Sequence, residues 1–237
     1  MIGALLPVVV AAAISLKGSL DAAAAEFAKA SPGEAITVQG AASGVLVSQI
    51  EQGAPFDLFI SASPAEMERL AVGKKLALGT RRALVTNALV VVVRKGLAPP
   101  EKLEGLSDPR FAKIAVGNPA TVPAGRYAAQ ALNAARLLPG VKNRLVFGEN
   151  VAQVLDYVIR GEVDAGLVYA TDANHAGASV VPGPPAPASG HDPIVYEGGV
   201  IAGSKSAARA RAFLEFLSGK TGQAIFARDG VGPPPTP

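Results

Sequence analysis

Apolar positions along this chain follow two alternating rhythms. Val8–Ile14, Ala35–Gln39, Asp57–Ser61, Ala88–Arg94, Lys113–Gly117, Leu145–Phe147, Ala165–Tyr169 and Ile194–Ile201 are short runs rich in β-branched or small apolar residues and read as strands. Between them, apolar residues recur at helical spacing. Leu20, Ala23, Ala24 and Phe27 mark a helix over Ser19–Ala30, and Leu46, Val47 and Ile50 mark one over Ser43–Gln52. Pro64–Ala71 has proline in its first turn, where the missing N–H costs nothing. A helix starts at Ala124 and is expected to run to about Pro139-Gly140. Val151, Val154, Leu155, Val158 and Ile159 form an apolar stripe, and Ala207–Leu217 reads as a further helix. Val180–His191 is rich in Pro and Gly and reads as loop. Strands separated by helical lengths predict an α/β fold with mostly parallel sheets.

Four strand-to-helix junctions carry small or polar residues: Ser15, Ala42-Ser43-Gly44, Pro123-Ala124-Gly125 and Glu149-Asn150-Val151. Helix starts expose N–H groups that lack intrahelical acceptors, and they attract anions. In open α/β sheets ligands bind beyond the carboxyl ends of the strands, where these junctions fall. Taken singly, each is better explained as ordinary helix capping, since Ser and Asn are favoured caps; the four together balance the two readings.

Composition narrows the chemistry. The 237 residues are 49% hydrophobic, enough for one large domain or two lobes. The 22 basic and 19 acidic residues leave a net charge of +3, with no basic cluster, and aromatics are only 5% without tryptophan. Nucleic acid is therefore not an expected partner. With no cysteine, disulfides, thiolate metal sites and thiol nucleophiles are excluded. The two histidines, His175 and His191, lie in Gly/Pro-rich surroundings and read as surface loop residues. Met1–Leu16 is almost wholly apolar but is broken by Gly3 and Pro7 and has no basic residue ahead of it. Val8–Ile14 reads as a buried first strand, and the residues before Pro7 as the remnant of a removed signal or of an added expression segment, with the signal peptide absent or truncated.

The segments AAAISLKGSLDAAAAEF, GAASGVLVSQIEQGAPFDLFISAS, NALVVVVRKG, AVGNPATVPAGRYAAQAL, GENVAQVLDYVIRGEVDAGLVYATDA and AFLEFLSGKTGQAIFARDG, in this order, span nearly the whole chain. Together they resemble the periplasmic molybdate-binding proteins of bacterial ABC importers. The resemblance implies a two-lobed periplasmic-binding-protein fold of type II, each lobe a mostly parallel sheet flanked by helices. One lobe is expected over residues 1–83 with 196–237 and the other over 84–195. Strands near Leu84–Ala88 and Ile194–Gly199 would be the hinge, and the ligand cleft would lie between the lobes. It further implies binding of molybdate or tungstate as the intact oxyanion, by Ser15, Ser43 and Tyr169 hydroxyls and the backbone N–H groups of Ala124 and Val151. No cofactor, no direct metal ligand and no catalytic residue is implied. The implied partner is a membrane permease, the implied state a monomer and the implied place the periplasm. Ile14 and Ala42 depart from the family's usual small residue and serine.

The rival class is an enzyme acting on a small anionic substrate. No GxSxG elbow, GxxxxGK[ST] loop or GxGxxG fingerprint is present, although Ser, His and Asp remain for a triad. An anion-sensing regulatory domain, or a binding protein for sulfate or phosphate, is a further alternative. Lys17 and Arg126 follow candidate ligands closely but read as solvated helix-face residues, and Asp57 and Asp164 as local caps or ion-pair partners.

Overall fold

The computed structural model describes residues 6–235, so the reading of the first five residues lies outside the described part. Ten strands are present among the described residues: β1 (Val8–Ala13), β2 (Ile36–Ala41), β3 (Leu58–Ser61), β4 (Arg82–Thr86), β5 (Leu89–Val93), β6 (Ile114–Gly117), β7 (Leu145–Gly148), β8 (Ala165–Tyr169), β9 (Val181–Pro185) and β10 (Val195–Val200). The α-helices are α1 (Lys17–Ala30), α2 (Ser43–Glu51), α3 (Pro64–Val72), α4 (Pro123–Ala134), α5 (Leu138–Val141), α6 (Val151–Ile159), α7 (Ala170–Ala176), α8 (Ala207–Ser218) and α9 (Lys220–Arg228). The chain forms two compact units. The first holds the described residues up to Thr86 and from Val195 onward, and the second runs from Asn87 to Ile194.

The first unit is built on a five-stranded sheet of order β2-β1-β3-β10-β4. β1 pairs in parallel with β2 and β3, whereas β10 runs antiparallel to β3 and β4. Residues on both faces of β1 are buried, which is why its run is apolar without alternation. One face carries Leu46, Val47 and Ile50 of α2 and Met67 and Leu70 of α3 in a single cluster with Ala11 and Phe59. Elsewhere in the same unit, Phe27 of α1 meets Phe213 and Phe216 of α8 edge-on, each with ring centroids 5.3 Å apart.

The second unit repeats the plan with order β7-β6-β8-β5-β9. β6 is parallel to β7 and β8, and β5 is antiparallel to β8 and β9. Both sheets are therefore mixed but mostly parallel in direction: in each, four strands run one way and one, β10 or β5, runs against them. In each, the strand beside the parallel trio is the one on which the chain enters that unit from the other, β5 on the way out and β10 on the return. No sequence repeat announces this shared plan.

Several elements differ from the pattern-based expectations. The α4 segment ends at Ala134, because Arg136 adopts a left-handed φ of 56° and Pro139 has no N–H to continue a helical hydrogen-bond ladder. Val180–His191 is not all loop. It contains β9, whose prolines are tolerated because this strand is the sheet edge. The α6 stripe is narrower than its spacing suggests. Val151, Val154 and Val158 are buried, but Ile159 is 42% exposed. Gly166 explains the centre of the contact, since a Cβ there would stand 2.9 Å from Val158 Cγ2. His175 lies on α7 rather than in a loop.

Candidate functional site

Register places the candidate residues. In the first unit Ala13 pairs with Ala41, so Ser15 and Ser43 each follow their strand by two residues and emerge at one sheet end. β3 ends at the same level, and Glu197 of β10 pairs with Ser61 there. Ser15 sits in a short 3-10 turn, is buried, and has its Oγ 2.8 Å from Tyr196 Oη. Ser43 opens α2 and is buried, and its Oγ accepts the Ala62 N–H at 3.1 Å. Because Ala42 occupies the cap position, no side chain caps α2. The hydroxyl-bearing residues Ser61 and Ser63 turn on each other. Ser61 Oγ accepts the Ser63 N–H at 3.1 Å, and Ser63 Oγ caps α3 through the Ala65 N–H.

Ile14 does not stand free at this end. Its side chain covers Gly40 of β2, where a Cβ would lie 2.7 Å from Ile14 Cδ1. Lys17 pairs with Asp21 on the surface of α1. Asp57 is a structural clamp, accepting the Val9 N–H at 2.8 Å and the Ser204 hydroxyl at 2.6 Å.

In the second unit Gly117 pairs with Gly148, and Tyr169 closes β8 opposite Leu89. Ala124, Val151 and Tyr169 thus follow or end three neighbouring strands at one sheet end. Ala124 is buried in the first turn of α4, whose cap residue Val122 has no side-chain acceptor to offer. Val151 is buried at the first position of α6, and Asn150 caps that helix through the Gln153 N–H at 2.9 Å. The cap therefore serves the third N–H of the helix and leaves the first one, that of Val151, to another acceptor. Tyr169 is buried, and its backbone N–H donates to Asp172 Oδ2 at 3.1 Å. The small residues of Pro123-Ala124-Gly125 have a second cause besides ligand approach. A Cβ on Gly125 would stand 2.1 Å from the Gly117 carbonyl oxygen, so helix start and strand end touch backbone to backbone.

Tyr196, Asn87, Thr171 and Asp172 did not emerge from the sequence. Asn87 Nδ2 donates to Thr171 Oγ1 at 3.0 Å. Burial pushes the Asp172 carboxyl up to about 7, against the Tyr169 hydrogen bond and the charge of His175. Asp164 is an ion-pair partner. Burial opposes its charge, but the Lys113 N–H and Arg94 outweigh that and hold its carboxyl below the usual range.

Two sheets of one strand order, each with helix starts and buried hydroxyls at the ends of its parallel strands, form a periplasmic-binding-protein fold. The chain belongs to the family of bacterial extracellular solute-binding proteins, which it matches over residues 8–231. It is 36% identical over 217 residues to the molybdate-binding protein ModA of Haemophilus influenzae, covering 89% of this chain and 84% of that one. With the Escherichia coli protein of the same name it shares 34% identity over 229 residues, 94% of this chain and 88% of the other. The periplasmic molybdate-binding protein of Azotobacter vinelandii superposes with a TM-score of 0.87 at 27% identity, covering 96% of this chain and 100% of that one. These relatives are binding proteins. Among the described residues no helix is long and apolar enough to cross a membrane.

Proposed function

We propose that the chain binds a tetrahedral oxyanion, molybdate or tungstate, and delivers it as a monomeric periplasmic protein to the membrane permease of an ABC importer. The observation that carries this reading is the 36% identity with a molybdate-binding protein over 89% of the chain. The chemistry of the strand ends agrees with it. The proposed donors are the hydroxyls of Ser15, Ser43 and Tyr169 and the N–H groups of Ala124 and Val151, with no resident cofactor or cation taking part. Hydrogen bonds to a charged acceptor contribute about 1.5–3 kcal/mol each, so a handful of neutral donors suffices to hold a dianion that must later be released. Donor geometry and cavity size would then exclude anions of the wrong size or protonation.

A thermal-shift series tests the reading. At 100 times its dissociation constant a ligand that binds only the folded state adds about 2.7 kcal/mol. Molybdate and tungstate are expected to raise the melting temperature clearly, and sulfate and phosphate at equal concentration much less. A phosphate shift equal to that of molybdate removes the selectivity.

Val151 separates backbone from side-chain recognition. Its first-turn position accepts proline, and Asn150 ahead of it already has extended φ and ψ of −159° and 171°. Val151→Pro removes the N–H while keeping an apolar side chain of similar size, and is expected to weaken molybdate binding more than tenfold, about 1.4 kcal/mol. Val151→Ala, which keeps the donor, should cost little. Calorimetry on a proline variant with an intact circular dichroism spectrum decides the point. Parent-like affinity would remove the Val151 donor from the site.

A further inference from the structure

We propose that Tyr196 is a positioning residue for the ligand: its phenol donates to Ser15 Oγ and so commits the single Ser15 proton to the bound oxyanion. The inference rests on the oxyanion reading of Ser15 above and adds to it a residue from a distant part of the chain. Ser15 Oγ and Tyr196 Oη lie 2.8 Å apart, a normal hydroxyl–hydroxyl hydrogen bond, with both residues buried and 181 positions apart in sequence. Each hydroxyl has one proton, so the bond has two possible polarities. With serine as donor, its oxygen would present only lone pairs to an anion and repel it. With tyrosine as donor, the serine oxygen is filled as an acceptor and its own proton points elsewhere. A hydroxyl that accepts one hydrogen bond also becomes a stronger donor in the next.

Ser43 shows the same arrangement with a donor that cannot reverse. Its Oγ accepts the Ala62 backbone N–H at 3.1 Å, which leaves the Ser43 proton for another acceptor. Two buried serines, each two residues beyond the paired positions Ala13 and Ala41, are thus each backed by a protein donor. One donor comes from the loop after β3 and the other from β10, the strand beside β3. The consequence is chemical. At both serines the ligand must be an acceptor, so an oxyanion that presents a protonated oxygen there is disfavoured.

The test is a double-mutant cycle by calorimetry with molybdate on the full chain: parent, Tyr196→Phe, Ser15→Ala and the double variant. Tyr196→Phe removes one oxygen from a buried ring and is expected to weaken binding about tenfold. In the Ser15→Ala background the same change is expected to have no further effect. A second measurement reads the polarity without removing the bond. Site-specific 3-fluorotyrosine at position 196 makes the phenol more acidic and a better donor. It is expected to tighten molybdate binding when Ser15 is present and to leave it unchanged in Ser15→Ala. Tyr196→Phe binding like the parent, or an equal loss with and without the Ser15 hydroxyl, overturns the proposal. So does weakened or unchanged binding on fluorination with Ser15 present. A parent that fails to bind molybdate removes the oxyanion reading itself, whereas these outcomes with a binding parent remove Tyr196 alone.

Discussion

Gly125→Ala is expected to destabilise the second unit by about 3 kcal/mol or more and to weaken oxyanion binding with it. The added Cβ would meet Gly117 O at 2.1 Å, Gly117 C at 2.5 Å and Asn118 C at 3.0 Å. All three are backbone atoms, so no side-chain rotation relieves the overlap. Gly117 is tight from its own side, since a Cβ there would stand 2.5 Å from Val122 Cγ1. The strand end and the helix start would have to separate, and Ala124 N–H would move with the helix. Gly18 provides the control. It is exposed near the start of α1, and a Cβ there would have nothing within 4 Å, so Gly18→Ala should be neutral or stabilising by up to about 1 kcal/mol. Urea unfolding of both variants checks this. A Gly125→Ala protein as stable as the parent would show that the β6–α4 contact opens freely.

How far the fold could be read from sequence depends on what each element buries. β1 is legible because five of its six residues are buried and apolar, and α6 because Val151, Val154 and Val158 are buried on one stripe. By contrast, α7 is invisible. Its segment Ala170–Ala176 has no apolar stripe, and the residues it buries are Thr171 and Asp172. β9 is hidden by its own prolines, which only an edge position accommodates. The antiparallel strands β5 and β10 look like any other apolar run. Their direction is a property of where the chain returns, which local periodicity does not encode.

The strand ends are partly legible for a similar reason. Helix starts announce themselves locally, through the Asn150 cap and the proline ahead of Ala124, whereas Ser43 opens α2 without capping it. Tyr196 does not, because its meaning lies in a contact with Ser15 made across 181 positions. The reason for Gly125 is also only half visible. Smallness is evident from sequence, but whether a ligand or a neighbouring backbone requires it is decided by the approach of Gly117.

The second large effect concerns pH. Asp172 is buried at the start of α7, with the Tyr169 N–H on its Oδ2 at 3.1 Å. Burial pushes its carboxyl up to about 7, while the hydrogen bond and the charge of His175 pull the other way. In the unfolded chain it should ionise near ~3.9. Between these values the folded protein holds a proton that the unfolded chain has lost. The contribution of Asp172 to stability therefore falls as pH rises from about 4 to about 7, and is flat above. Asp172→Asn removes the titration and keeps a carbonyl oxygen for the Tyr169 N–H. The stability of the variant relative to the parent is expected to grow by roughly 2–3 kcal/mol between pH 5 and pH 8, at about 1.4 kcal/mol for each of the two pH units below the folded value. Urea titrations of both proteins across that range measure the difference directly. A difference that does not change with pH would mean that the carboxylate is ionised throughout, and that α7 and its surroundings stabilise the buried charge at the residue that holds the Tyr169 backbone.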